Sequence, residues 1–265
     1  MPLTLKTYIH TYIHFEFSTA IQLRLGLNIP LIPSQHCICG ARPDPFGNHF
    51  LNCRRGGEVI YRHNAIRQVM SAILKSSGDV VYQEIPINSF PVDGASDSST
   101  APNLRFDIVA MSRASLQNIS ADVTVSNPLS SSAAILLQNA NTNGNSNNRA
   151  ESRKNAMYAQ VSHARGLKFT PLAVETFGRL GKSFRKCLKE AASRVIASSA
   201  EVDQIVANKL HATLVHLWQM KISCVLQKGN ARIIQMAISR ILSRNHQSPN
   251  LNNLDFSVLQ ERLLR

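Results

Sequence analysis

Residues Leu104–Val125, LRFDIVAMSRASLQNISADVTV, decide the fold. Two apolar runs, Leu104 to Met111 and Ile119 to Val125, each have the length and the Val/Ile content of a strand. In the second, Ile119, Ala121, Val123 and Val125 alternate with Ser120, Asp122 and Thr124, so the polar side chains share one face of the sheet. Asp107 and Asp122 interrupt the two runs, and a charge inside a strand is costly unless it is paired or used. Two such acids on consecutive strands point to a cation site, because Mg²⁺ takes one or two carboxylates and completes its shell with water and phosphate oxygens. Glu84, in the preceding apolar stretch, offers a third carboxylate. Alternatively, each acid lies at a strand end in water.

Working outward, Asp79 to Ile87 reads as a strand and Ser89 to Pro102 as a loop. Before them, Tyr61 to Ser76 carries Ile66, Val69, Met70 and Ile73 on one helical face, with Gly78 where a helix would stop. After them, residues 127–149 are rich in Ser, Ala and Asn and read as a flexible insertion outside the fold, removable with little harm. A helix over Ala150 to Ala164, a strand over Lys168 to Thr176 with Pro171 near its start, and a helix over Lys182 to Ser198 follow. The order helix, three strands, helix, strand, helix predicts an α/β domain over residues 58–200. Residues 201–265 form a C-terminal helical segment. There Ile205, Leu210, Leu214 and Trp218 lie on one face and Ile234, Ile238 and Ile241 on another, and both stretches are expected to pack on the sheet.

On the helix after the insertion, Glu151, Lys154 and Tyr158 are spaced by three and four and share a face that can meet the acids. A lysine there orients an attacking water or offsets charge growing on phosphorus. The plainer alternative is a solvated lysine on a basic helix with Arg149 and Arg153.

Residues 1–33 read as an N-terminal helical segment, with Phe17, Ile21 and Leu25 at helical spacing before Gly26 and Pro30. Residues 34–57 shift to loop chemistry, with too few apolar residues for a core. Within them Cys37-x-Cys39, His49 and Cys53 give four thiolate or imidazole donors, enough to close a tetrahedron on Zn²⁺, and the metal would stand in for the missing core. The single-residue spacing of the first two cysteines is tighter than usual; otherwise they are two reduced cysteines and an unrelated histidine. His10 and His14 are four apart but lack a third ligand nearby and read as surface residues.

The 265 residues carry 29 lysines and arginines against 16 acids, a formal charge of +13, which favours a polyanionic partner, DNA or RNA, over a small neutral ligand. A merely basic surface would have the same composition. No stretch has the roughly 18 or more consecutive apolar residues of a membrane span, and the N-terminus lacks the pattern of a signal peptide. Five cysteines in an uneven set suit a reducing compartment. An intracellular protein is expected.

In order, the Cys37-x-Cys39…His49…Cys53 cluster, Arg62-His63-Asn64, Arg105-Phe106-Asp107-Ile108, Asp122-Val123-Thr124-Val125 and Lys154…Tyr158 resemble the restriction-like endonuclease region of non-LTR retrotransposon polyproteins. The resemblance spans about Cys37 to Gly181. It implies a restriction-endonuclease-like (PD-(D/E)XK) mixed sheet flanked by helices, behind a zinc knuckle. It also implies an enzyme that nicks target DNA with Mg²⁺ or Mn²⁺ in the nucleus, leaving 3′-hydroxyl ends. By that implication Asp107 and Asp122 are the two catalytic acids, Lys154 and Tyr158 the displaced lysine and helix tyrosine, and His63 part of the helix signature within the catalytic set. Phe106 stands where the family has proline, and Thr124 where many relatives of the wider fold carry the lysine that Lys154 replaces. A relic that binds nucleic acid without cutting is the alternative.

Overall fold

The alternating runs pair as their period demands. The computed structural model describes residues 5–89, 104–112, 117–129, 132–198 and 203–245, with side chains from Phe15 to Arg244. Strands β1 (Val80–Pro86), β2 (Arg105–Met111), β3 (Asn118–Ser126) and β4 (Leu167–Glu175) form one sheet in that order. β1, β2 and β3 are antiparallel neighbours, and β4 lies parallel to β3. A parallel pair needs a crossover long enough to return the chain. Helices α4 (Ala133–Asn141) and α5 (Asn145–His163) supply it. Among the described residues the architecture is therefore mixed α/β, with helices on both faces of a four-stranded mixed sheet.

The chain divides into two compact units, Arg62–Gln227 and the pairing of Met1–Tyr61 with Lys228–Arg265. In the first, α3 (Glu58–Ser76), α6 (Lys182–Ala197) and the early turns of α7 (Gln204–Asn245) bring Ile66, Met70, Phe184, Leu188 and Ile222 against Ile108, Ala121 and Val123. The opposite face meets α5, where Tyr158 packs with Phe106, Val109 and Phe169. The odd residues of β3 thus serve the first core, while Ser120 and Asp122 turn toward α5; Ser120 Oγ donates to Ser162 Oγ at 2.8 Å. In the second unit, Leu23, Ile29, Phe50 and Leu51 pack with Ile233, Ile234, Ile238 and Ile241 of α7.

Several expectations change. Residues 127–149, read from composition as a flexible insertion, carry helices: α4 occupies part of them, and Asn145 to Arg149 open α5. Asn147 is 1% exposed. It accepts from Ser126 Oγ at 3.0 Å, donates to Arg179 O at 2.8 Å, and its backbone N–H bonds Glu175. Polar composition misled here because these amides replace apolar contacts as the tie to the sheet. The C-terminal stretches are one helix, α7, and its Ile234–Ile241 stripe joins Phe50 and Leu51 rather than the sheet, giving the cysteine segment an apolar core that its own composition lacks. On α1 (Leu5–Leu25), Phe17 and Leu25 are 66% and 65% exposed, while Thr19 and Leu23 are buried, so the helix packs by another face than the one predicted. Pro171 sits in mid-strand, tolerated because β4 is an edge of the sheet. Most of the loop from Ser89 to Pro102, residues 246–265, and the side chains of His10 and His14 lie outside the described residues. Among the described residues no helix is long and apolar enough to cross a membrane.

Candidate metal centres

In the knuckle, backbone geometry makes the tight cysteine spacing workable. Gly40 N–H donates to Cys37 O at 2.8 Å and Cys37 N–H donates to Ala41 O at 2.9 Å, folding the chain so that Cys37 and Cys39 both reach inward. Gly40 has φ +87, a conformation that favours glycine. The Asp44 carboxylate then accepts from the N–H groups of Phe46, Asn48 and His49 at 3.0, 3.1 and 2.7 Å. It thereby caps α2 (Asn48–Asn52) and fixes the histidine. Cys53, four residues on, terminates the helix on the same side, donating its N–H to His49 O at 3.0 Å.

The four donor atoms of Cys37, Cys39, His49 and Cys53 all lie within 4.8 Å of one another. Cys37 Sγ and Cys53 Sγ are 3.8 Å apart, and Cys39 Sγ is 3.3 Å from His49 Nε2. Tetrahedral Zn²⁺ with metal–sulfur bonds of about 2.3 Å separates its sulfurs by about 3.8 Å. The four residues are close enough to hold a metal such as zinc. Burial pushes the Cys53 thiol up to about 11, whereas the backbone of Ala41 lowers that of Cys39. Beside them Arg240 binds Glu58 through both guanidinium nitrogens, the Nη2–Oε2 bond at 2.8 Å. Arg240 also feels Cys37 and Cys53, so it is a counter-charge for a thiolate-rich centre.

The second centre is built by register. The β1–β2 ladder pairs Gln83 with Ile108 and Ile85 with Phe106, which brackets Glu84 and Asp107; the β2–β3 ladder ends at the pair Ile108–Ala121, so Asp107 and Asp122 each lie one residue past its end. By that count Glu84, Asp107 and Asp122 stand at one level of the three strands, where neither ladder keeps a pair. The ladder loosens there. Glu84 has φ 55, and Val123 N–H donates to Asp107 Oδ2 at 2.6 Å, in place of a strand partner. Such local departures re-aim side chains.

His63 from α3 places Nε2 at 3.2 Å from Asp107 Oδ1, and Lys154 from α5 places Nζ at 2.7 Å from Asp122 Oδ1. Lys154 also stands 5.4 Å over the Tyr158 ring. Asp122 is 4% exposed. Burial first, and then the charge of Asp107, push its carboxyl up against the opposing pull of Lys154. Burial and the same two acids push the Tyr158 hydroxyl up, so it stays protonated and donates.

Five of the six predicted groups thus gather: His63, Asp107, Asp122, Lys154 and Tyr158. Glu84 shares their level, but its carboxylate pairs with Arg67 of α3, whose Nε also donates to Gln83 Oε1 at 3.2 Å. Glu151, on the same helix as Lys154, accepts from Ser183 N–H at 3.1 Å and holds the start of α6 instead of meeting the acids. Sequence reasoning missed Asp44, whose position four residues before Asn48 is a local capping signal. It also missed Arg240, whose partner is 182 residues away and leaves no local signal. No protein-family model matches this chain, and no curated protein does.

Proposed function

We propose that the chain is a metal-dependent DNA endonuclease with a restriction-like sheet, akin to the endonuclease end of non-LTR retrotransposon polyproteins, and that it nicks target DNA in the nucleus. Register carries this proposal: Glu84, Asp107 and Asp122 stand at one level of three strands, with a lysine against the last of them. The knuckle would hold Zn²⁺ as a structural ion through three thiolates and one imidazole, a closed donor set with no open position. Asp107 and Asp122 offer hard oxygens suited to Mg²⁺ or Mn²⁺. Burial, and then the charge of Asp107, keep the Asp122 carboxyl raised, and a divalent cation would relieve the repulsion between the two acids.

A bound Mg²⁺ or Mn²⁺ supplies a Lewis acid for the phosphodiester and lowers the pKa of an attacking water. The protein's own groups do the positioning. His63 and the Val123 amide fix both oxygens of Asp107. Lys154 holds a charged donor at the edge of the pair, where it orients water or offsets charge on the phosphate oxygens. In the hydrolysis the water oxygen joins phosphorus and the P–O3′ bond breaks, leaving a 3′-hydroxyl and a 5′-phosphate. Lys182, Arg185, Lys186 and Lys189, exposed on α6, would make salt-sensitive phosphate contacts.

One observation favours a second reading. Lys154 sits directly on a nearly covered Asp122, so the acid already has a protein counter-charge, as in a DNA-binding relic that no longer cuts. Nicking of supercoiled plasmid in Mg²⁺ or Mn²⁺, beside Asp107→Ala and Asp122→Ala proteins that still fold, separates the two. Nicking by the parent alone is the expected result. DNA binding by all three proteins with nicking by none would leave the relic.

A further inference from the structure

The first turn of α3 carries two large side chains that the core does not use: Ile60 is 61% and Tyr61 60% exposed. The Arg232 guanidinium from α7 stands 4.4 Å over the Tyr61 ring. Arg232 also acts on Glu58, whose carboxylate is already held by Arg240. Arg55 lines the same small cavity as Glu58 and Arg240. Arg240 and Arg232 thus act on one carboxylate and Arg55 lines the cavity with it, so guanidinium groups outnumber the Glu58 carboxylate. A protein partner would also use Ile60 and Tyr61, but the local arginine excess, in a chain of formal charge +13, favours an anionic one.

An exposed ring under a guanidinium matches an unpaired base flanked by phosphates. The ring takes the base's π-face, and the arginines take the backbone. A duplex buries its base faces in its own stack and has none to offer the ring. We propose that Tyr61 and Arg232, with Arg55 of the cavity that Glu58 lines, form a binding site for single-stranded DNA. The stacking chemistry is independent of whether Asp107 and Asp122 cut; only the choice of DNA over RNA rests on the nicking proposal, since a nick frees a DNA strand.

The test uses the full, zinc-loaded chain without Mg²⁺, so that no cutting intervenes. Fluorescence anisotropy is read with a labelled oligothymidylate of about 15 nucleotides, a loop-free two-strand duplex and an oligouridylate. Tyr61→Ala is expected to weaken oligothymidylate binding about tenfold, the loss of one base stack, and to leave the duplex unaffected. Tyr61→Phe should bind as the parent does, and Arg232→Gln should weaken binding and flatten its salt dependence. Unchanged helical circular dichroism and zinc content report that the exposed substitutions leave the fold alone. Equal oligothymidylate binding by Tyr61→Ala, Arg232→Gln and the parent overturns the site, as does an equal loss on the duplex. Binding of oligouridylate alone overturns the assignment to DNA. All these outcomes stand apart from the plasmid assay, which reports on the aspartates.

Discussion

At the knuckle, Asp44 and the α2 backbone set His49 and Cys53 on one side, and Arg240 stands by the thiols as counter-charge. At the sheet, Asp107 and Asp122 stand on neighbouring strands just past the end of their ladder, with His63 against the first and Lys154 against the second. The acids near each centre titrate in opposite directions. Burial works against Glu58, yet its bonds to Arg240 win and hold its carboxyl low. Asp122 is held high by burial and by a like charge. A group in the first situation adds to stability and suits a structural role, whereas one in the second carries a cost while ionised, which a proton or a bound cation relieves.

The largest effect expected from this contrast is at the knuckle. Structural zinc contributes about 10–16 kcal/mol in small zinc-binding peptides. Elemental analysis should find one zinc per chain, and chelation or Cys37→Ser should strip hydrogen-exchange protection from residues 34–57 while the sheet keeps its own. Undiminished protection after chelation would break the comparison, because both centres would then be dispensable to folding. Next in size, Lys154→Ala should lower single-turnover nicking by about 10²–10³-fold and lower the melting temperature too, because it leaves the buried Asp122 without its counter-charge; a rate within a few-fold of the parent would show that the lysine is only a counter-charge.

Smaller is the pH dependence of the thiol centre. Metal must displace the proton of Cys53, whose thiol lies at about 11, so Co²⁺ affinity should fall about tenfold per pH unit of acidification for each proton displaced. A flat affinity from pH 8 to pH 6 would mean that Cys53 is not a ligand. Smallest, Arg240→Leu should cost about 1–3 kcal/mol in denaturant unfolding through the loss of its charged hydrogen bonds to Glu58. The Glu58 contribution is present above the ordinary carboxyl range and fades as pH falls through its lowered value, so parent and Arg240→Leu stabilities should converge in acid.

The sheet was legible because period-two alternation in Ile119–Val125 survives into β3, and the acids were legible because they break apolar runs. Their alignment was not, since register depends on pairings between distant strands and on the irregularity at Glu84. Glu84 shows the limit plainly: it was legible as a candidate third carboxylate, but its capture by Arg67 depends on how α3 lies against β1. Composition misled over 127–149, where Asn147 is tied down by backbone groups from other elements. On α1, periodicity identified an apolar stripe without telling which face the fold would cover, and Phe17 and Leu25 stay in solvent.

The most direct test is Asp122→Asn. A carboxyl raised in the folded state binds its proton more tightly there than in the unfolded chain. Its stability contribution is therefore full below the ordinary aspartate range and is lost as pH rises through the raised value. Above that raised value, without Mg²⁺, the ionised carboxylate is a burden that asparagine removes. The measurement is plasmid nicking with Mg²⁺, paired with the melting temperature of the metal-free protein, for parent and Asp122→Asn. The variant is predicted to melt higher than the parent and to nick at least about 10²-fold more slowly. A variant that nicks at the parent's rate would contradict the assignment of Asp122 to the catalytic site.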